Sequence, residues 1–388
     1  MGTKRLAVVI GRFNPCHIFH VQTLLSRAME YDHVLVLLGS SRKARTWKDP
    51  LLWQQRQTLI EASVDDLKIS SKSKLYRNVD FTPIKDYPYT DHRWIFQVQE
   101  LVEEKCSKLE TGSDRNGRLS EDKKEQWEPI LVGVDKDMST FYLKMFPQWE
   151  QDIIEPEGDT TLYSATQVRE ALFEDRIEDV KDLVTPTVSQ WLTFWLATRE
   201  GQRLQAEYLK AKGSKTVLAY QGIDPSTGEN VFTPAPYNPT FHTVDSVVTW
   251  RGHVLLIRRR AHPGKGLWAL PGGFLETHEW PRDGAVRERT EESKLKFYHK
   301  GSKRRLHLHK DWCKSSHEFA HPGRSLRGRT ITSAYHWVIP DEYEVEFEAA
   351  DDADRAQWFT FYDVFKNMDY EIFEDHQHIA HHFIMATR

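Results

Sequence analysis

Two groups of polar residues in this chain have the types and spacing to handle phosphate. The first lies in GRFNPCHIFH, Gly11 to His20, where an apolar run, Leu6 to Ile10, leads into a Gly-Arg turn, a proline and two histidines three residues apart. Pro15 cannot lie inside a helix but suits a turn or a first helical position. The stretch therefore predicts strand, turn and helix, with the helix N-terminus at the carboxyl edge of a sheet. Unpaired amides and the positive end of the helix dipole favour an anion there. His17 and His20, at i and i+3, share one face of that first turn. Their imidazoles can donate to phosphate oxygens, and Arg12 adds a permanent cation. A metal is the weaker reading, because H-x-x-H offers no third ligand. Far downstream, YSATQVR spans Tyr163 to Arg169. Ser164 is a natural N-cap, and Gln167 three residues later completes a capping-box pattern, so a second helix start is predicted. Ser164 or Thr166 would offer hydroxyls, and Arg169 would extend charge toward the same place.

The second group is acidic. In GGFLETHEWPRDGAVRERTEESKL, Gly272 to Leu295, Glu288, Glu291 and Glu292 stand at i, i+3 and i+4. On one helix they share a narrow face, with Val286, Thr290 and Ser293 on the opposite, packing side. Crowded carboxylates repel unless a divalent cation or several basic residues neutralise them. Hard oxygen donors suit Mg²⁺ or Mn²⁺, bridged to a diphosphate. By itself, E-x-x-E-E also fits a solvated acidic face.

The elements that must carry these residues follow from the apolar pattern. Leu6–Ile10, Val34–Leu38, a strand within Tyr76–Ile84 and Pro129–Val134 read as strands. Val21–Glu30, Trp94–Cys106 and Gln167–Leu183 read as helices between or after them. This alternation predicts βαβ units and a doubly wound parallel sheet, an α/β fold of Rossmann type. The charged stretch Glu103 to Glu128 reads as an exposed loop or helix end. After Pro186, a Trp/Leu stripe at helical spacing runs to about Lys210, and its expected role is packing. A Pro/Gly-rich segment then ends near Thr240. Beyond it, VDSVVTW and HVLLIRR form a hairpin pattern around Arg251-Gly252, followed by a Gly-rich stretch, a charged helix and the strand TITSAYHWVI, an α+β texture. The expected organisation is residues 1–186, a helix and linker over 187–239, and a second domain over 240–388.

Length and composition agree. A chain of 388 residues fits two or three domains. The net charge of −4 gives no sign of nucleic acid or anionic membrane as a partner. Three scattered cysteines imply a reducing compartment without a disulfide framework. The apolar runs fall far short of the roughly 20 residues a membrane span needs. With no signal-peptide pattern, the expected location is cytoplasmic, and a homo-oligomer is left open.

With both motifs in view, the first part resembles the nucleotidyltransferase superfamily, marked by H-x-x-H and S-x-T-x-x-R. Its GRF-x-P-x-H form is similar to the nicotinamide mononucleotide adenylyltransferases. Gly39–Arg56 (GSSRKARTWKDPLLWQQR), Ile84–Trp94 and Leu131–Trp149 add to the likeness. The resemblance implies that the Gly11, Arg12, Phe13 and Asn14 turn binds nucleotide, and that His17 and His20 hold ATP phosphates. It places Ser164, Thr166 and Arg169 on the triphosphate, and Asp86 and Trp94 around the nicotinamide, Trp94 by stacking. The phosphate of nicotinamide mononucleotide would attack the α-phosphorus of ATP, aided by His17, His20, Arg169 and a magnesium ion. Cys16 departs from the usual aromatic residue, and Val134-Asp135 from more basic residues.

The second part resembles the Nudix hydrolases. Gly273, Glu279, Arg287, Glu288, Glu291 and Glu292 match G-x5-E-x7-R-E-x-x-E-E at each fixed polar position. The resemblance implies metal ligation by Glu288, Glu291, Glu292 and the Gly273 carbonyl, with Glu288 and Glu292 catalytic. Glu279 and Arg287 would form a structural ion pair. Arg289 stands where an apolar residue is usual and Lys294 where glycine is usual, so Lys294 must end or continue the helix another way. The flanks resemble Nudix domains fused to nicotinamide mononucleotide adenylyltransferases, which cleave ADP-ribose to AMP and ribose 5-phosphate. The general base is either a box glutamate or a later acid, with Glu348, Asp351 and Asp352 as candidates. Arg324, Arg327 and Arg329 are candidates for the substrate phosphates or terminal ribose. Two alternatives stand beside this reading. One is another nucleotidyltransferase, such as a pantetheine-phosphate type, fused to a general nucleoside-diphosphate hydrolase. The other is a sensor that binds ADP-ribose without cutting it.

Overall fold

The computed structural model describes residues 3–69, 78–111, 126–134, 138–155, 164–213, 226–227, 240–301, 305–306, 310–347 and 356–386, with backbone alone at 138, 139, 141, 305, 306, 310 and 347. The chain forms two compact units, Met1–Tyr208 and Leu209–Arg388.

In the first unit, β1 (Lys4–Gly11), β2 (His33–Ser41), β3 (Val79–Lys85), β4 (Trp127–Val134) and β5 (Glu150–Ile154) form a parallel sheet of order β3-β2-β1-β4-β5. The central strand is apolar on both faces because both faces are covered. Its alternation divides the core in two. Ala7 and Val9 pack with Val21, Leu25, Ile60 and Val64, whereas Leu6, Val8 and Ile10 pack with Val98, Val102 and Phe146. The chain winds from β1 to β2 on one side and returns to β4 on the other. The end of β1 is therefore the switch point, where open α/β sheets bind ligands.

The helices differ in detail from expectation. The one after β1 begins at Ile18 and runs as a wide π-type turn, His20–Leu25, into Ser26–Ala28. The helix expected over Trp94–Cys106 is Asp91–Glu110, so part of the charged stretch is helical, and 112–125 lies outside the described residues. The helix expected over Gln167–Leu183 is broken. It ends at Phe173 and resumes as 3₁₀ turns over Ile177–Leu183. Asp175 has φ +59°, the Arg176 amide donates to the Ala171 carbonyl at 2.7 Å, and the Asp175 amide donates to Leu172 at 3.2 Å. This is a Schellman ending with aspartate in place of glycine, which a search for glycine misses. The helices Pro186–Leu196 and Arg199–Lys212 are not a connector. Val188, Leu192, Trp195 and Leu204 are buried against Leu51, Leu59, Val168 and Leu172 in the first unit.

In the second unit, β6 (Phe241–Trp250) pairs in parallel with the strand Thr330–Val338 at the centre of a mixed sheet, whose strands run in the order Cys313–Phe319, Thr330–Val338, β6, His253–Arg258 and Ala356–Thr360. The hairpin to β7 (His253–Arg258) turns at Arg251 and Gly252, both at positive φ, as a tight primed turn requires. Short strands β8 (Trp268–Ala269) and β9 (Gly272–Phe274) lead to the helix Pro281–Ser293. That helix buries Gly284, Ala285, Arg289 and Ser293; of the expected packing side Ser293 is buried and Val286 partly so, while Thr290 is exposed and Arg289 takes its place. Among the described residues, no helix is long and apolar enough to cross a membrane.

Candidate active sites

The first site is built on the turn after β1. A Cβ on Gly11 would stand 2.7 Å from the Phe13 ring, so glycine is what lets Phe13, at φ +48°, fold back into the core. Asn14 is buried and anchors the turn on two sides. Its side-chain oxygen accepts from the Leu51 amide at 3.3 Å, and its carbonyl accepts from Arg169 Nη1 at 2.6 Å. From below, Arg56 is 1 % exposed; its Nη1 donates to the Arg12 carbonyl at 2.6 Å and the Gly39 carbonyl at 2.7 Å, and its Nη2 to Ser41 Oγ at 2.7 Å. One buried guanidinium thus ties the turn after β1 to the end of β2. Hydrogen bonds to a charged group contribute about 1.5–3 kcal/mol each.

His17 and His20 stack at a centroid distance of 3.5 Å, and the Phe13 ring meets His20 edge-on at 4.8 Å. The His17 amide donates to His20 Nδ1 at 3.3 Å. This is the reach-back half of a capping box, made by imidazole in place of glutamate. Because Nδ1 accepts, the neutral ring carries its proton on Nε2, a donor suited to an oxyanion.

The S-x-T-x-x-R segment comes to the same turn. Ser164 caps its helix by accepting from the Thr166 amide at 3.2 Å, a bond to the second helical residue and not to Gln167 as the expected box requires. Arg169 Nη2 donates to Thr166 Oγ1 at 2.9 Å, while Nη1 reaches Asn14. Burial pushes the Arg169 guanidinium down to about 10; Asp49 opposes this and Arg12 adds to it. Asp49 is buried, 2.8 Å from Lys43 Nζ. Burial pushes its carboxyl up, but Lys43, Arg12 and Arg169 outweigh burial and hold it low. Lys43 also stands 3.5 Å from Asp86, which accepts from the Ser40 amide at 3.1 Å. Trp94 belongs to an aromatic wall with Tyr142 and Phe146 at 6.3 and 5.9 Å, and the Tyr142 hydroxyl donates to the Ile10 carbonyl. Cys16 is buried, so its thiol fills core space where an aromatic was expected. Asp135 lies outside the described residues. Lys43, Asp49 and Arg56 fall in a stretch quoted for its likeness, but the sequence reading gave them no chemical role.

In the second site, Gly272 and Gly273 bring backbone against the acidic helix. A Cβ on Gly273 would stand 2.5 Å from Glu288 Oε1, so the carboxylate occupies space that only glycine leaves open. The Gly272 amide donates to Glu292 Oε2 at 2.9 Å. Burial pushes the Glu292 carboxyl up to about 7, with Glu288 and Asp245 adding to it against the Gly272 amide. Burial also raises Glu288, against the pull of Arg287. The expected Glu279–Arg287 pair is present at 2.6 Å, and Arg287 holds the Glu279 carboxyl down to about 2. Arg287 also contacts Glu288 at 2.9 Å and the exposed Glu291 at 3.4 Å.

Among the described residues, no three His, Cys, Asp or Glu side chains close into a cation cage. What the helix offers is an open set of hard oxygen donors beside a glycine cradle, two of them raised by burial. That set fits a divalent ion sharing its remaining ligands with a substrate. The first site is different. Its carboxylates are already matched by cations, so an ion there fits as a companion of the nucleotide phosphates.

The two departures in this helix have local explanations. Lys294 adopts φ +48° itself, and its amide donates to the Thr290 carbonyl at 3.2 Å, so the helix ends as glycine would end it. Arg289 is buried with its guanidinium 5.7 Å from the Phe297 ring and one bond to Thr290 Oγ1; burial holds it down to about 10. Of the three candidate arginines, Arg324 is committed to a buried bidentate pair with Asp375 at 3.0 and 3.1 Å. Arg329 donates to the Ala320 carbonyl at 2.6 Å. Only Arg327 stands beside the glycine strand, 4.8 Å over the Phe274 ring. Arg259, which the sequence reading passed over, lies within electrostatic reach of Glu292. Glu348, Asp351 and Asp352 lie outside the described residues.

Comparison with known proteins finds relatives for both halves of the chain. Residues 240–383 match the NUDIX domain model. The chain is 30% identical over 211 residues to the nicotinamide/nicotinic acid mononucleotide adenylyltransferase of Acinetobacter baylyi, covering 54% of this chain and 96% of that protein. It is 34% identical over 116 residues to the ADP-ribose pyrophosphatase of Methanocaldococcus jannaschii, covering 30% of this chain and 59% of that one. The crystal structure of a bifunctional NMN adenylyltransferase/ADP ribose pyrophosphatase from Francisella tularensis, complexed with AMP and a manganese ion, is 26% identical, with a TM-score of 0.76 over 99% of both chains. The chain therefore belongs to the nicotinamide mononucleotide adenylyltransferase family, and its residues 240–383 carry a NUDIX domain.

Proposed function

We propose that the protein is a bifunctional enzyme of NAD metabolism. It transfers the adenylyl group of ATP to nicotinamide mononucleotide, giving NAD and pyrophosphate, and it hydrolyses ADP-ribose to AMP and ribose 5-phosphate. The observation that carries the first activity is the Arg169–Asn14 bond, which joins two helix starts distant in sequence into one cationic corner. A phosphate oxygen of nicotinamide mononucleotide attacks the α-phosphorus, and the bond to the β-phosphate bridging oxygen breaks. No protein nucleophile is needed. His20 Nε2–H, His17, Thr166 and Arg169 hold the phosphates in line, and the Ser164 cap keeps that helix start in place. Arg12 and Lys43 supply charge that Asp49 only partly cancels. Asp86 and Trp94 border the acceptor.

The second activity rests on Glu288 and Glu292 set against Gly272 and Gly273. When bound there, Mg²⁺ or Mn²⁺ would polarise the diphosphate and lower the pKa of a water molecule. Glu288, Glu291, Glu292 and the Gly273 carbonyl would hold it. Arg287 orients Glu288, and Arg327 faces the diphosphate. Water attacks one phosphorus, and the other phosphate leaves. The three free cysteines favour a cytoplasmic setting. The test is one series on the purified protein: ATP with nicotinamide mononucleotide in one tube and ADP-ribose in another, each with and without magnesium. NAD and AMP are expected, both requiring the ion. Magnesium-dependent binding of ADP-ribose without AMP release would leave the second unit a sensor, and a preference for another phosphate acceptor would change the transferase substrate.

A further inference from the structure

Beside the glycine strand of the second unit lie two guanidiniums in unlike circumstances to Arg324. Arg324 is buried and matched by Asp375, with Asp245 at 3.9 Å. Arg259 and Arg327 are half-buried, and among the described residues neither has a carboxylate at ion-pair distance. Among the described residues, the Arg327 side chain bonds Ser325 Oγ and lies over Phe274. Arg259 donates from Nε to the Pro263 carbonyl at 3.1 Å, and its guanidinium lies 3.8 Å over the Phe373 ring. Removing a cation from water without an anion is costly, and stacking on an aromatic face recovers only part of the loss.

The turn that carries Phe373 explains why Arg259 stays there. Four successive residues bind four parts of the site. Phe373 underlies Arg259, and Glu374 accepts from the Leu326 amide at 3.0 Å beside Arg327. Asp375 holds Arg324, and His376 Nδ1 accepts from the Leu270 amide at 2.9 Å, two residues before Gly272. Phe373 is further stitched to β8, its amide donating to the Trp268 carbonyl at 2.8 Å. Arg259 and Arg327 are therefore both tied to one turn, Phe373–His376, which also bonds the chain just before Gly272. Burial and the charge of Arg327 push the Arg259 guanidinium down, while Glu374, Glu292 and Asp245 oppose them, so the two cations share one field.

We infer that Arg259 is a second diphosphate-binding cation of this site, acting with Arg327, and that Phe373 is its positioning residue. The inference rests on the reading of this unit as a diphosphate hydrolase. Two cations near the acidic helix suit a substrate with two linked phosphates.

The test uses the full-length protein at fixed free magnesium. It compares Arg259→Gln with Arg259→Lys, reading KM for ADP-ribose and the inhibition constant of ADP. The glutamine variant is expected to raise both by at least about tenfold, the loss typical of a charge-assisted hydrogen bond. Lysine, which keeps the charge but not the fork, should recover most of the loss. Adenylyl transfer should be unchanged in both, and Arg259→Met replaces the glutamine variant if that one fails to fold. A KM within about twofold of wild type in the charge-free variant would overturn the inference, as would equal damage from lysine and glutamine. Absence of ADP-ribose hydrolysis by the wild-type protein would instead remove the underlying reading.

Discussion

In the first site Arg12, Lys43 and Arg169 gather around one buried carboxylate, Asp49, and the protein supplies most of its own charge balance. In the second, Glu288 and Glu292 are both raised by burial, and Arg287 is the cation that touches the acidic face. One corner is assembled before any ligand arrives, while the other is left acidic and open. An anion entering the first meets cations already fixed by Asn14, Thr166 and Asp49. A cation entering the second relieves a cost that folding alone leaves in place. The shape of the first site should therefore depend on side chains that hold the turn, and that of the second on the ion, even though both reactions use one.

The sharpest way to break this comparison is to remove one charged or hydrogen-bonding group from each site. Glu292→Gln is expected to lower ADP-ribose hydrolysis by at least about a hundredfold and leave adenylyl transfer intact, since one ligand and one negative charge go together. His20→Ala is expected to do the reverse, lowering transfer by a similar factor. Parallel kinetics on the two purified variants decide it. Loss of both activities in either variant would mean the sites are not independent.

A second test asks whether the first turn is held as firmly as described. Arg56→Met removes bonds to the Arg12 and Gly39 carbonyls and to Ser41 Oγ, and leaves the last two, both buried, without this donor. Each such group costs about 1–3 kcal/mol, so a loss of roughly 3–5 kcal/mol is expected. Differential scanning calorimetry should show this in the transition of the first unit, with hydrolysis of ADP-ribose preserved below it. An unchanged first transition would mean that Phe13 and Asn14 hold the turn without Arg56.

The third test sharpens the claim that the second site is incomplete without its ion. Glu292→Gln keeps an oxygen for the Gly272 amide but removes a buried charge. In chelator, the variant should be the more stable of the two, by about 1–3 kcal/mol. Added magnesium should raise the wild-type melting temperature and move the variant much less. Thermal melts with and without magnesium read both effects, and a variant less stable than wild type in chelator would contradict the account.

The comparison also separates what the residue pattern revealed from what it did not. The α/β half was legible because Leu6–Ile10 and Val34–Leu38 are apolar on both faces, and a strand covered on both sides has no polar alternation to hide. His17, His20, Thr166 and Arg169 were legible because their spacing already puts them on helix starts. Helix ends were less legible: Asp175 and Lys294 take positive φ without being glycine, and no local rule marks them. The arginines near Arg324 were hardest. In sequence Arg324, Arg327 and Arg329 look alike, but Asp375 claims one and the Ala320 carbonyl another, and both choices are made by residues distant in sequence or in a separate loop. Arg259 sits in a run of three arginines whose burial no periodicity discloses.

The smallest expected effect tests the two units against each other by acid. His336 is 2 % exposed on the central sheet of the second unit, with Nε2 at 2.9 Å from Thr249 Oγ1, and burial holds it down to about 4. A histidine lowered on folding stabilises the protein above its unfolded value of about 6.5, and the contribution is lost as pH falls toward the folded value. Between pH 7.5 and 5 the unfolded chain takes up a proton that folded His336 refuses, a cost of about 2 kcal/mol at pH 5. His376, held down to about 3 by burial, acts in the same direction. Glu292, Glu374 and Asp245 are raised, gain protons in the folded state and oppose it, so the net slope of wild type is not diagnostic. The difference between wild type and His336→Gln isolates one group. The variant should lose less stability than wild type on acidification, by roughly 4–8 °C in the second transition, while the first transition keeps its wild-type pH response. A parallel pH dependence in the two proteins would mean that His336 is solvated in the folded state, and that the sheet beneath the acidic helix is wetter than its burial indicates.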